Sequence, residues 1–457
     1  MPDAELAVLS GILYLGREGI RENLLMKRAD RASHRLDDRK AVFGWTFYDW
    51  ANSAFATAVM AGFFPVFFKE FWSAGADINV STARLGLANS MASTMVALLA
   101  PVLGAIADKG SAKKKFLMFF AYMGVVMTAS LYLVSKGNWP LAIILYAFAT
   151  IGFSGANVFY DALITVVSSN RRMDFVSTLG FSLGYLGGGL LFAVNVWMAL
   201  SPTTFGFTNG GEAVRFSFLT VALWWALFSV PVFLFVKEPR REQEHPGLHA
   251  VRDGLLGLLE TIREIRHLRA LFMFLAAYWL YMDGVHTIIR MAVDYGISIG
   301  FDSNSLIVAL LITQFVGFPS ALFFGYLGGR IGAKRAIFIA IGVYLFVCVW
   351  AAFMQSKNEF FVLAMVVGLV QGGIQALSRS YYAKIIPIEK SGEYFGFYNM
   401  MGKFAAVLGP ILMGTVGLLV RSLGYSSNIA SRASITSIAI LFVAGGVLLF
   451  LVREEKE

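Results

Sequence analysis

Charge is scarce in this sequence. Asp, Glu, Lys and Arg make up 15% of it, against roughly 25% in an ordinary soluble domain. Cysteine is scarcer still. Cys348 is the single one, which excludes an intramolecular disulfide and a cysteine-rich metal site. No Gly-x-x-x-x-Gly-Lys-Ser/Thr loop occurs, so the phosphate cradle of a primary pump is missing. No metal cluster and no nucleophile–base pairing stands out, so neither a cofactor nor enzymatic activity is expected. Short segments of alternating polarity, about ten residues each, would mark a membrane barrel; long apolar runs take their place.

Those runs fill the chain. The sequence is 57% hydrophobic with a mean hydropathy of +0.67, the composition of an all-α membrane protein. A bilayer crossing needs roughly 20 apolar residues. Twelve such spans can be read, at about 42–69, 84–107, 116–135, 140–168, 174–200, 214–236, 269–296, 303–328, 336–355, 359–386, 392–420 and 433–452. The net charge of +9 does not point to nucleic acid, because the Lys and Arg sit between spans. Alternate loops are basic: 17–40, Lys109 with Lys113 to Lys115, Arg171 with Arg172, Arg330 with Lys334 and Arg335, Lys384 with Lys390, and Arg453. Basic loops stay in the cytoplasm, so both termini are expected there, in a multi-pass protein of the inner membrane.

The break between spans 6 and 7 is the longest polar interval. It divides the chain into a cytoplasmic segment (1–41), a six-helix bundle (42–236), a linker (237–268), a second six-helix bundle (269–452) and a tail (453–457). In the linker Val251, Leu255, Leu258, Ile262 and Ile265 recur at helical spacing beside Arg252, Glu260, Arg263 and Arg266. That pattern predicts an amphipathic helix on the membrane surface; a solvated linker is the plainer reading. Met26 opens the basic segment before span 1 and is an alternative start to Met1.

The few intramembrane charges follow a rhythm. Spans 3, 6, 9 and 12 carry none in their interiors, while spans 1, 4, 7 and 10 carry Asp49, Asp161, Asp283 with Arg290 and Asp294, and Arg379. Span 11 adds Lys403. An ionisable group at mid-helix costs ~2.5–3.5 kcal/mol unless it faces a polar interior. Spans 1, 4, 7 and 10 are therefore expected to line a central cavity, and spans 3, 6, 9 and 12 to face lipid. Helical spacing sets Trp45, Tyr48, Asp49 and Asn52 on one face of span 1. It does the same for Asn157, Tyr160 and Asp161 in span 4, and for Asp283, His286 and Arg290 in span 7. Span 10 offers Gln371, Gln375 and Arg379, and span 11 Asn399 and Lys403.

The two halves repeat. Gly104 to Lys113, with Asp108 and Lys109, sits between spans 2 and 3; Gly325 to Lys334, with Arg330, sits between spans 8 and 9. Asp161 falls opposite Arg379, and Gly184 opposite Gly402, at nearly the same offset. Facing repeats of this kind are a transporter plan with the substrate site between them.

The first loop resembles the Gly-x-x-x-Asp-Arg/Lys-x-Gly-x-Lys motif of the major facilitator superfamily, with Ser111 in place of a glycine; in the second copy Gly329 replaces the acid. Tyr48-Asp49-Trp50-Ala51-Asn52-Ser53-Ala54, the stretches Asp283–Arg290 and Gln371–Ser380, and Gly409-Pro410 are similar to the unknown-major-facilitator family. That family includes the autophagy-related vacuolar amino-acid effluxers of fungi. The resemblance implies two rocking six-helix bundles, gating by the Gly104 and Gly325 loops, and a cargo among amino acids or similar small solutes.

In this frame a zwitterion would set its ammonium toward Asp49 or Asp161 and its carboxylate toward Arg379, Arg290 or Lys403. Asp49, Asp161 and Arg379 lie in the cytoplasmic third of their spans, where a salt bridge closing an inner gate explains them equally well. Asp283, Arg290 and Lys403 lie deeper, with an Asp283–Lys403 structural pair as the alternative. Buried carboxylates make protons a candidate co-substrate. A monomeric secondary transporter in a lipid bilayer is the expectation, with a multidrug–proton exporter and a non-transporting receptor or scaffold as rivals.

Overall fold

The structure is a computed structural model describing residues 36–75, 78–109, 112–238, 263, 268–298, 303–405 and 407–452. Among these every regular element is helical. The expected amphipathic helix over 251–265 and the question of the start residue lie almost wholly outside the described residues. In chain order the helices are α1 (Arg39–Trp72), α2 (Ile78–Lys109), α3 (Lys113–Leu133), α4 (Trp139–Val167), α5 (Met173–Leu200) and α6 (Gly210–Phe235). Then follow α7 (Arg269–Ser298), α8 (Ser303–Ile331), α9 (Ala333–Phe353) and α10 (Lys357–Ile385). Helix α11 comes in two pieces, Ser391–Phe404 and Leu408–Ser422, and α12 runs over Ser427–Ser437 and Ala439–Leu451.

Eleven of these twelve are long and apolar enough to cross a membrane. The exception is α2, whose described apolar stretch is only Thr94–Asp108. Its first half carries Asn79, Ser81, Thr82, Arg84, Asn89 and Ser90, which keeps the apolar part to about 22 Å at 1.5 Å per residue.

Polar side chains placed one step ahead of the helices start them. Asp38 accepts from the Ala41 amide at 3.0 Å, Asn209 from the Glu212 amide at 3.0 Å and Ser356 from the Glu359 amide at 3.3 Å; each satisfies one of the donors a first turn leaves open. Packing within the first six helices relies on missing side chains. At Gly152 of α4 a Cβ would lie 2.6 Å from the Gly124 nitrogen of α3, so the two backbones touch. Large apolar side chains stay exposed on the outside, among them Leu133, Leu223, Leu234, Leu418 and Phe450. In water that would be an aggregation surface; in lipid it is the expected coat.

The first six helices meet the last six along α2–α11 and α5–α8. Both seams are drawn tight at the end where the basic loops lie. A Cβ at Gly104 would collide with the Gly392 carbonyl of α11, and one at Gly325 with Thr178 of α5.

Helix α11 is interrupted between Phe404 and Leu408. An interruption inside a bilayer strands amides and carbonyls that water cannot reach. Asp283 of α7 meets two of them: its carboxylate accepts from the Leu408 amide at 2.9 Å and the Gly409 amide at 2.8 Å. On the other side of the gap the Ala405 carbonyl lies 2.7 Å from Nδ1 of His286.

Candidate functional site

Between the two sets of six helices lies a cavity of about 470 Å³. Its floor, toward the basic-loop end, is Asp49, Tyr160, Asp161 and Arg379; its walls rise past Asn52, Asn157, Gln371, Gln375, Asn399, Lys403 and His286 to Met354 and Phe360 at the far end. Eleven of the fourteen residues expected in a cavity line it. Tyr48 does not: it is buried against Tyr160, ring centroids 4.9 Å apart. Asp283 does not either, being the cap of α11 described above. The side chain of Arg290 is outside what is described.

The floor is an ion cluster that joins the halves. Arg379 of α10 donates from Nη1 to Asp161 at 3.1 Å and from Nη2 to Asp49 at 3.3 Å. Its Nε donates to the Ser177 hydroxyl and its Nη2 also to the Ser177 carbonyl, both at 2.9 Å. The Tyr160 hydroxyl donates to Asp49 at 2.7 Å, and Asn399 of α11 to the other oxygen of Asp161 at 3.1 Å. The guanidinium is roofed by rings, with Phe181 4.4 Å and Trp45 4.7 Å from its carbon. Every nitrogen of the guanidinium thereby finds an acceptor on the opposite half, which is what a buried charge requires. Gly180 makes room: a Cβ there would lie 2.5 Å from the Asp49 carboxylate.

Two further ties sit at the same end. Asp108 accepts from the Gly392 and Glu393 amides of α11, at 3.0 and 2.8 Å, and pairs with Lys113 at 2.6 Å. The N-terminus of α11 thus receives a carboxylate from the other half, where the helix dipole favours one. Asp174 of α5 accepts from the Ser380 hydroxyl and pairs with Lys384 of α10, both at 2.7 Å. The second copy of the loop motif behaves differently. Arg330 lies over the Tyr326 ring, and Lys334 donates to the Val452 carbonyl of its own half at 2.6 Å. The side chain of Lys109 is outside what is described. No such tie closes the far end among the described residues.

On the cavity wall, Lys403 donates to the Ser154 hydroxyl of α4 at 2.7 Å, and Asn52 donates to Asn157 at 2.7 Å. The wall corrects one expectation. Val347, Cys348 and Ala351 of α9, Met354 just past its end, and Ile435 of α12 also line the cavity, although those spans were expected to face lipid. Sorting spans by charge finds only polar faces, and an apolar wall leaves no charge to find.

This architecture is that of solved carriers. The fold matches the human organic anion transporter MFSD10 with a TM-score of 0.67 at 16% identity, over 90% of this chain and 98% of that one. It matches FucP in its outward conformation with a TM-score of 0.67 at 14% identity, over 91% and 98%. In sequence, residues 73–174 and 165–457 match the family described as vacuole effluxer Atg22 like. The MFS-type transporter YxiO of Bacillus subtilis (strain 168) is 41% identical over 416 residues, 90% of this chain and 94% of its own. Autophagy-related protein 22 of Yarrowia lipolytica is 22% identical over 74% of this chain and 72% of its own.

The chain is an Atg22-like transporter of the major facilitator superfamily. Like its relatives it is a multi-pass membrane protein and not an enzyme. Three parts of the Atg22-like site had no sequence signal strong enough to single them out. Ser177 and Ser154, the neutral partners of Arg379 and Lys403, look like any small helix residue. Phe181 looks like lipid-facing bulk. Asp174 could have been found, as an acid in a first turn one step from a basic loop.

Proposed function

We propose that this Atg22-like transporter carries a small polar solute, an amino acid or related metabolite, by alternating access between its two six-helix halves. The boundaries at 42–236 and 269–452 delimit those halves. The basic-loop end is the cytoplasmic end by the positive-inside rule, so the form described here is closed to the cytoplasm. On this reading both termini are cytoplasmic and the bacterial-type membrane is the inner one.

The observation that carries the reading is the pairing of a closed floor with a polar wall. Arg379 fastens α10 to α1, α4 and α5, while Asn52, Asn157, Gln371, Gln375, Asn399 and Lys403 stay on the cavity surface. With Arg379 engaged by both carboxylates, Lys403 is the better partner for a cargo carboxylate. Asp49 and Asp161 become available to an ammonium, or to a proton, when the floor opens. A multidrug exporter would be served by an apolar wall without this row of amides.

The test is flux. Thermal-shift screening of purified protein against amino acids, peptides, organic anions and drugs nominates a cargo, and proteoliposomes with and without a pH gradient measure its movement. Arg379→Ala and Asp161→Asn should each lower flux at least tenfold. Unchanged flux in both variants would refute the gate, and no flux of any nominated cargo in the unaltered chain would leave the receptor or scaffold reading standing.

A further inference from the structure

A second, smaller recess lies away from the cavity, at the basic-loop end between α1 and α5. It measures about 240 Å³ and is lined by Asp37, Arg39, Val42, Phe43, Thr46, Arg172, Leu179 and Leu183. We propose that this groove holds one anionic phospholipid, its phosphate between Arg39 and Arg172 and an acyl chain against Phe43, Leu179 and Leu183.

The two arginines are placed for it. Arg39 is the first residue of α1 and Arg172 the residue before α5, so both stand where the helices leave the apolar layer. Both are exposed, and neither guanidinium makes a hydrogen bond, ion pair or ring contact with another described residue. The neighbouring carboxylate does not compensate them. Asp37 is turned into the loop before α5, where it accepts from the Ser169 hydroxyl at 2.6 Å, the Ser169 amide at 3.2 Å and the Ser168 hydroxyl at 3.2 Å.

Below the arginines the groove turns apolar. Phe43 is 44% exposed, and Leu179 and Leu183 are half-buried on the next turns of α5. From Arg172 to Leu183 is about 16 Å along the helix, the depth of the upper part of an acyl chain. Cations at the rim over a greasy slot match a lipid with a charged head and not a soluble anion, and basic pockets between membrane helices are known head-group sites. The assignment does not depend on what the cavity carries.

The experiment is a titration of the detergent-purified full chain by native mass spectrometry with phosphatidylglycerol and phosphatidylcholine. Phosphatidylglycerol should bind about tenfold more tightly. Arg39→Gln with Arg172→Gln should erase that preference, and Arg39→Lys with Arg172→Lys should keep most of it, which separates loss of charge from loss of fold. Thermal shift with inorganic phosphate at matched concentration should show no stabilisation. Equal binding of the two lipids by the unaltered chain overturns the proposal; it is also what occupation of the groove by the chain's own residues 1–35 would give. A preference that survives the double Gln variant, or stabilisation by inorganic phosphate equal to that by lipid, overturns it as well.

Discussion

The two copies of the loop motif have diverged in what they hold. In the first, Asp108 reaches across to the other half and caps α11. In the second, Gly329 stands where the acid would be, with open space around it, and Lys334 ties α9 to α12 within its own half. Both copies keep the glycine that lets helices of opposite halves touch, Gly104 against Gly392 and Gly325 against Thr178. Duplication therefore preserves the backbone approach, while the side chain decides whether the approach is fastened. On the seam that lost its acid, the fastening has moved to Asp174 on the partner helix, which pairs with Ser380 and Lys384.

The largest expected effect comes from the cluster that both copies flank. Arg379→Ala leaves Asp49 and Asp161 buried without their cation, and breaking a buried pair costs about 3–5 kcal/mol. Chemical unfolding of the full chain in micelles reads that loss. A smaller drop, under 1 kcal/mol, would mean that water already reaches the floor. Asp283→Leu should follow at roughly 2–3 kcal/mol, because two amides of the interrupted α11 lose their acceptor; Asp283→Asn keeps an oxygen and should cost less than half as much.

The copies themselves come next. Asp108→Ala removes a two-amide cap and a lysine partner, for about 1–2 kcal/mol, and should raise the accessibility of cysteines introduced at the basic-loop end of α11. The mirrored change, Gly329→Asp, should leave both readings within error, since a Cβ there meets nothing within 4 Å and the nearby start of α5 already carries Asp174. If Gly329→Asp stabilises the protein as much as Asp108→Ala destabilises it, the two copies are equivalent after all. The smallest effect is expected of Lys384→Ala, roughly 0–1 kcal/mol, because its side chain is 27% exposed and solvent screens the pair.

Most of the fold was legible because lipid imposes long apolar runs and charge must avoid them. The pairing of Asp161 with Arg379 was foreshadowed by their equivalent places in the repeat, but that Asp49 binds the same guanidinium was visible only in the structure. What stayed hidden was hidden for physical reasons. The wall supplied by Cys348 and its neighbours is uncharged. The gap in α11 lies in an unbroken apolar run, and only Pro410, which cannot donate to the preceding turn, marked it. Asp283 therefore read as a candidate for cargo when its work is to hold a helix end.

Apart from the Lys403–Ser154 bond on the cavity wall, the ties between the halves described above gather at one end of the molecule, and among the described residues none is set against them at the opposite end. On the proposed reading such a lopsided arrangement is a latch: opening that end must break these ties, and the free energy for each reversal has to come from whatever enters the cleft.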